Sequence, residues 1–220
     1  ELGSIDEAER HGRMVLDRLP VEGNDLLCRA ALRRGDRAAA RDHARRAVDA
    51  ETVPRAESII LLAQVEMVGG AFVDALELLD RLRQRSIERQ SRPIPNLELE
   101  RGEALAYLGR NAEAAAAFEA EIRDFPANLA AYSKLAFVYA VSKEFDRIDP
   151  LLERMVAAQP GPDALALAAD TAARLGDENG SRAWRLRAQR FGVRDGRDLD
   201  GDANEAPRAG EGAGPARDPS

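Results

Sequence analysis

The chain has 220 residues, of which 45% are apolar, 32% charged and only 5% aromatic, and its formal net charge is −7. Its 41 alanines, 25 leucines and 30 arginines favour helices, and strand-forming β-branched and aromatic residues are scarce, so a β-sandwich or barrel is excluded and an all-α chain is expected. A single cysteine (Cys28) and two histidines (His11, His43) leave no disulfide framework, no cysteine-cluster zinc site and little for a histidine-based centre.

In chain order, a helical apolar pattern recurs, each time broken by a small turn residue. Residues 1–20 read as the second helix of a hairpin, beginning at a turn around Gly3, with Ala8 five residues on. Residues 21–54 read as a full helix pair, with Leu27 and Cys28 on the packing face, a turn at Gly35 and Ala40 and Ala47 beyond it. Residues 56–89 repeat this with Leu62, Ala63, Gly70, Ala75 and Leu79. Five extra residues, within 89–94, then read as a longer connecting loop. Residues 95–128 carry Gly102, Gly109, Ala114, Phe118 and Pro126, and residues 129–162 carry Tyr132, Leu135, Ala136, Tyr139, Leu152 and Pro160. In this last pair Lys143 stands at the turn, Ile148 replaces the alanine and Pro150 falls early in the second helix. That helix is expected to start late, capped by Asp146 or Asp149, or to kink. Residues 163–191 read as a degenerate final pair, with Gly176 at its turn, Ser181 five residues on and Trp184 covering the end of the core. Residues 192–220, with six glycines, three prolines and seven acids against four arginines, read as a disordered acidic tail.

Glycine can take the left-handed conformation that closes a helix. Alanine five residues later lets the second helix approach the first, and proline stops the second helix while being tolerated where the next begins. Pro126 and Pro160 are 34 residues apart, close to the spacings of 32, 35 and 39 residues that separate Gly3, Gly35, Gly70 and Gly109. One hairpin cannot bury its apolar face alone, so neighbours must stack.

On these residues the chain resembles the tetratricopeptide repeat family over residues 1–191. The resemblance implies a right-handed superhelical solenoid of antiparallel helix hairpins, about five and a half repeats long. It further implies that first helices line a concave groove for a peptide or protein segment. Taking residues spaced 3, 4 and 4 on each first helix gives the candidate groove: Glu22, Asp25, Arg29 and Arg33; Glu57, Ile60, Gln64 and Val68; Asn96, Leu99, Glu103 and Tyr107; Ala130, Ser133, Phe137 and Val141. It grades from charged at one end to apolar and aromatic at the other. The occupant is expected to be a protein or peptide, or a neighbouring domain of the same chain. The chaperone-binding members' carboxylate clamp is not expected, because the matching positions are Asp25, Arg29, Ile60, Gln64 and Leu99.

The expected function is a non-catalytic scaffold or adaptor with no cofactor and no metal. The alternative is the C-terminal repeat region of a larger bacterial enzyme, such as a sulfatase-type hydrolase or a transferase, a reading suggested by the half repeat at the start. The net charge argues against nucleic-acid binding. Arginines 29, 33, 34, 37, 41, 45 and 46 are nearly balanced by six acids within residues 21–54, which reads as a salt-bridged helix pair. No segment reads as a membrane span, and a soluble protein of the cytoplasm or periplasm is expected. Cys28 reads as a buried structural thiol, His11 and His43 as surface residues, and the alternating acids of residues 198–204 as solvated tail in preference to a calcium loop. Dimerisation through the half repeat is a further expectation.

Overall fold

Five turns of the same geometry each join the two helices of a pair, and a sixth, at Gln90 with φ 49°, ends the second helix of one pair. Gly35, Gly70, Gly109 and Gly176 have φ between 72° and 83°, and Lys143 takes the same left-handed conformation at φ 62°. At each, the next residue's N–H reaches back to a carbonyl five residues earlier: Asp36 to Ala31, Ala71 to Glu66, Arg110 to Leu105, Glu144 to Tyr139 and Asp177 to Ala172, all at 2.8–2.9 Å. This bond satisfies carbonyls that the ending helix leaves unpaired. Lys143 is the one residue of the five with a side chain, so this turn carries the strain of the left-handed conformation.

The computed structural model describes the backbone of residues 2–200 and the side chains of residues 5–191. Among the described residues there are eleven α-helices and no strand. A lone helix α1 (Leu2–Val15) precedes five hairpins: α2 (Pro20–Arg34) with α3 (Arg37–Asp49), α4 (Ala56–Val68) with α5 (Phe72–Glu88), α6 (Leu97–Tyr107) with α7 (Asn111–Asp124), α8 (Leu129–Val141) with α9 (Ile148–Ala158), and α10 (Pro162–Arg174) with α11 (Glu178–Asp200). Each helix packs on the next along the chain. The backbones of the first helices α2, α4, α6, α8 and α10 also approach one another in succession, whereas the second helices lie farther apart and are bridged by long side chains, as where Arg154 of α9 pairs with Glu119 of α7 at 2.8 Å. The layer of first helices is therefore the inner, tighter side of the stack.

Seven residues before each turn a small residue lets the two helices of a hairpin meet. Cys28, Ala63 and Ala136 are fully buried there, and Gly102 holds the same place in the third hairpin. A Cβ on Gly102 would lie 2.6 Å from the Phe118 ring, so the phenylalanine occupies the space that a side chain would need. Ala40, Ala75 and Ala114, five residues after their turns, are likewise fully buried.

Several expectations are corrected. Gly3 lies inside α1 and not at a turn. The helix's close packing on α2 instead uses Gly12 and Gly23, where added Cβ atoms would meet Leu27 at 3.0 Å and Leu16 at 2.7 Å. Helix α9 does start late, after a 3-10 turn at Phe145–Arg147, and Pro150 sits in its first turn where no N–H is required. Neither Asp146 nor Asp149 caps it: its N-cap is Arg147 and makes no side-chain cap bond. Helix α11 passes the expected boundary at Phe191-Gly192. The tail residues 201–220, and with them most of the 198–204 acid run, lie outside the described residues.

Candidate functional site

Counting back from each turn residue places the candidate groove in four rows along the first helices. The row ten residues before the turn contains Asp25, Ile60, Leu99 and Ser133. Ile60 and Leu99, expected to face a ligand, are 8% and 7% exposed and belong to the core. The reason is the mutual contact of α2, α4, α6 and α8: a face that is open on an isolated helix is closed by the next hairpin.

The polar members of the groove bind each other across repeats. Arg55 donates to Glu22 at 2.7 Å, which holds the Glu22 carboxyl below its ordinary range. The Ser58 hydroxyl donates to Asp25 at 3.3 Å, while burial pushes the Asp25 carboxyl upward. Gln64 donates to Glu100 at 2.7 Å; Glu100 is buried, and its carboxyl is raised by desolvation. Glu103 pairs with Lys134 at 2.8 Å. Ser133 is buried and shares a hydrogen bond of 2.9 Å with Thr171. These bonds join one first helix to the next, or to the connection leading into it, and they fix the register of the stack. Asn96 belongs to the junction instead: it caps α6 with φ 64°, its N–H donates to buried Glu121 at 2.9 Å, and its side-chain oxygen accepts from Asn128 at 3.0 Å.

What remains open lies close to the turns. Val68, Tyr107 and Val141, each two residues before its turn, are 49%, 64% and 68% exposed. Tyr107 stacks on Phe72 with ring centroids 4.4 Å apart. Beside it a cleft of about 250 Å³ opens between α6 and α8, lined by Tyr107, Phe137 and Val141, floored by Phe118 and Val138 and bordered by Glu103 and Lys134. The Arg174 guanidinium lies over the Phe137 ring, 4.8 Å from its centroid. Phe72, Lys134 and Arg174 were not among the candidates. Arg174 was legible, since it stands two residues before Gly176; Phe72 and Lys134 enter only through packing between helices.

At the other end of the groove Arg29 and Arg33 are exposed, and neither lies within ion-pair distance of a carboxylate among the described residues. The rest of the arginine cluster is largely engaged: Arg34 pairs with Glu9 at 2.7 Å, Arg46 with Asp42 at 2.8 Å, and Arg41 and Arg45 both reach buried Glu66 of α4. The Cys28 thiol is fully buried and pushed up to about 11 by desolvation, so it stays protonated at neutral pH. His43 is half-buried, with Nδ1 at 2.9 Å from the Asn24 side-chain oxygen. Among the described residues no helix is long and apolar enough to cross a membrane.

No protein-family model and no curated protein matches the chain. Solved structures do. The chain is similar to PilW, a type IV pilus biogenesis factor, at 15% identity and TM-score 0.65 over 84% of each chain. It is similar to TTC0263, a thermophilic TPR protein of Thermus thermophilus, at 19% identity and TM-score 0.61 over 82% of this chain and 94% of that one. It is also similar to PilF of Pseudomonas aeruginosa, at 14% identity and TM-score 0.62 over 86% and 84%. The repeated turn, the small-residue contacts and these likenesses agree, and the chain has a tetratricopeptide-repeat-like fold.

Proposed function

We propose that the chain is a non-catalytic scaffold or adaptor that holds a protein or peptide segment against its first helices. The observation that carries this reading is the open cleft of Tyr107, Phe137 and Val141. Apolar side chains as exposed as Tyr107 and Val141, grouped around a concavity, are the usual mark of an interaction surface. The polar ladder from Glu22 to Thr171 supports it, because a stack held in register presents a preorganised surface and loses little entropy on binding.

The test is site-directed photo-cross-linking in the cells that make the protein. A benzophenone side chain replaces Tyr107 in one variant and Arg81, an exposed residue on the outer helix α5, in another. A discrete protein adduct at position 107 and none at position 81 is the expected result. Equal labelling at both positions, or none at either, defeats the proposal.

A further inference from the structure

The residues two before each turn form one row along the stack: Arg33, Val68, Tyr107, Val141 and Arg174, all exposed. Three apolar side chains occupy the middle and an arginine stands at each end, the Arg174 guanidinium leaning back over the Phe137 ring and lying 3.9 Å from Asp170. Successive first helices touch, and packed helices lie about 8–10 Å apart. The row therefore offers one contact roughly every 9 Å. A polyproline II segment rises about 3.1 Å per residue with three residues per turn, so it presents every third side chain on one face at nearly the same interval. The opposite edge of the groove carries exposed Glu57 and Asp163, whose charge directs acids in a bound segment toward the arginines, while Glu22 on that edge is already paired with Arg55.

We infer that the occupant is an extended, polyproline II-like protein segment of about thirteen residues with apolar side chains at its fourth, seventh and tenth positions and acidic side chains at its first and thirteenth. The central apolar residue enters the cleft beside Tyr107, and the terminal carboxylates meet Arg33 and Arg174. The pattern is symmetric, so it reads the same in either chain direction. This inference rests on the groove reading proposed above and adds the chemistry of the partner.

A random sixteen-residue peptide library displayed on its own mRNA is selected on the full chain and sequenced. The expected outcome is enrichment of acidic and apolar residues at the stated threefold spacing. In the Arg33→Glu, Arg174→Glu double variant the terminal preference moves to lysine and arginine, and an acid-ended peptide loses roughly tenfold in affinity at low salt, with the loss shrinking at high salt. Tyr107→Ala and Val141→Ser, both at exposed positions, each remove the apolar enrichment while far-UV circular dichroism stays unchanged. Peptides that depend on Tyr107 but lack flanking acids or the threefold spacing overturn this inference and leave the groove reading standing. Peptides indifferent to both apolar substitutions, or no enrichment at all, overturn the two together.

Discussion

The hairpin of α2 and α3 packs with hardly any large side chains, whereas that of α6 and α7 closes around a phenylalanine. In the first, Cys28, Ala40, Ala44 and Ala47 meet at essentially full burial, and charge supplies part of the cohesion: Arg41 and Arg45 of α3 converge on buried Glu66 of the next hairpin. In the second, Gly102 gives up its side chain so that Phe118 can fill the gap, and the core continues through Tyr132 and Tyr139 to Trp184. Arginines lie over those rings, Arg147 at 4.0 Å from the centre of Tyr139 and Arg154 at 5.5 Å from that of Tyr132. One backbone plan thus accepts two packing chemistries, because the turn bond and the small-residue contact are made alike in both. The open apolar cleft occurs on the aromatic-rich half, where large residues that build the core also reach the groove.

Substitutions can sharpen this contrast or erase it. Phe118→Ala is expected to cost about 3–5 kcal/mol by urea unfolding, against about 1 kcal/mol for Ala44→Gly; equal losses would mean that the two hairpins are not differently built. Gly102→Ala is expected to cost about 1–3 kcal/mol by overpacking, with much of the loss recovered when Phe118→Leu is added. If the double variant is no better than the single, the glycine and the phenylalanine are not paired. Glu66→Gln is expected to cost about 1–2 kcal/mol through weakened charge-assisted bonds, and the difference from wild type should shrink in molar salt. A loss insensitive to salt would remove charge from the account of the N-terminal half. Lys143→Gly is expected to stabilise by about 0.5–1 kcal/mol, since glycine adopts the left-handed conformation without strain; a drop in melting temperature would show that the lysine side chain has another role there.

The smallest expected effect concerns pH. Burial raises the Glu100 carboxyl, so the native state holds this proton more tightly than the unfolded chain does. The contribution is therefore complete below the ordinary glutamate range and is lost as pH rises from there through the raised value. Glu100→Gln keeps an acceptor for Gln64 and removes the titration. Its melting temperature should gain on wild type at pH 7 relative to pH 4, and a gain larger at pH 4 would reverse the assignment.

Much of the repeat architecture was legible because its signals are local. A turn glycine followed five places later by a small residue can be counted along the chain, and the repeat register so obtained identified even the Lys143 turn, where Ile148 replaces the small residue, and the late start of the helix containing Pro150. The cap of that helix was not legible: an acid near a helix start signals a cap only if the backbone aims its oxygen at a free N–H, and a 3-10 turn intervenes. Gly12 and Gly23 were passed over for a similar reason, since a glycine inside a helix records close packing only when the partner helix is known.

The candidate groove divides along the same line. The sequence by itself determined which residues share a helix face, because about 3.6 residues per turn fixes that whatever surrounds the helix. Only the tertiary structure decided which of them reach solvent. Contact between successive first helices buries Ile60 and Leu99 and commits Gln64, Ser133 and Glu103 to neighbouring repeats. The row next to the turns remains open, and with it Tyr107, Val141 and the cleft between them.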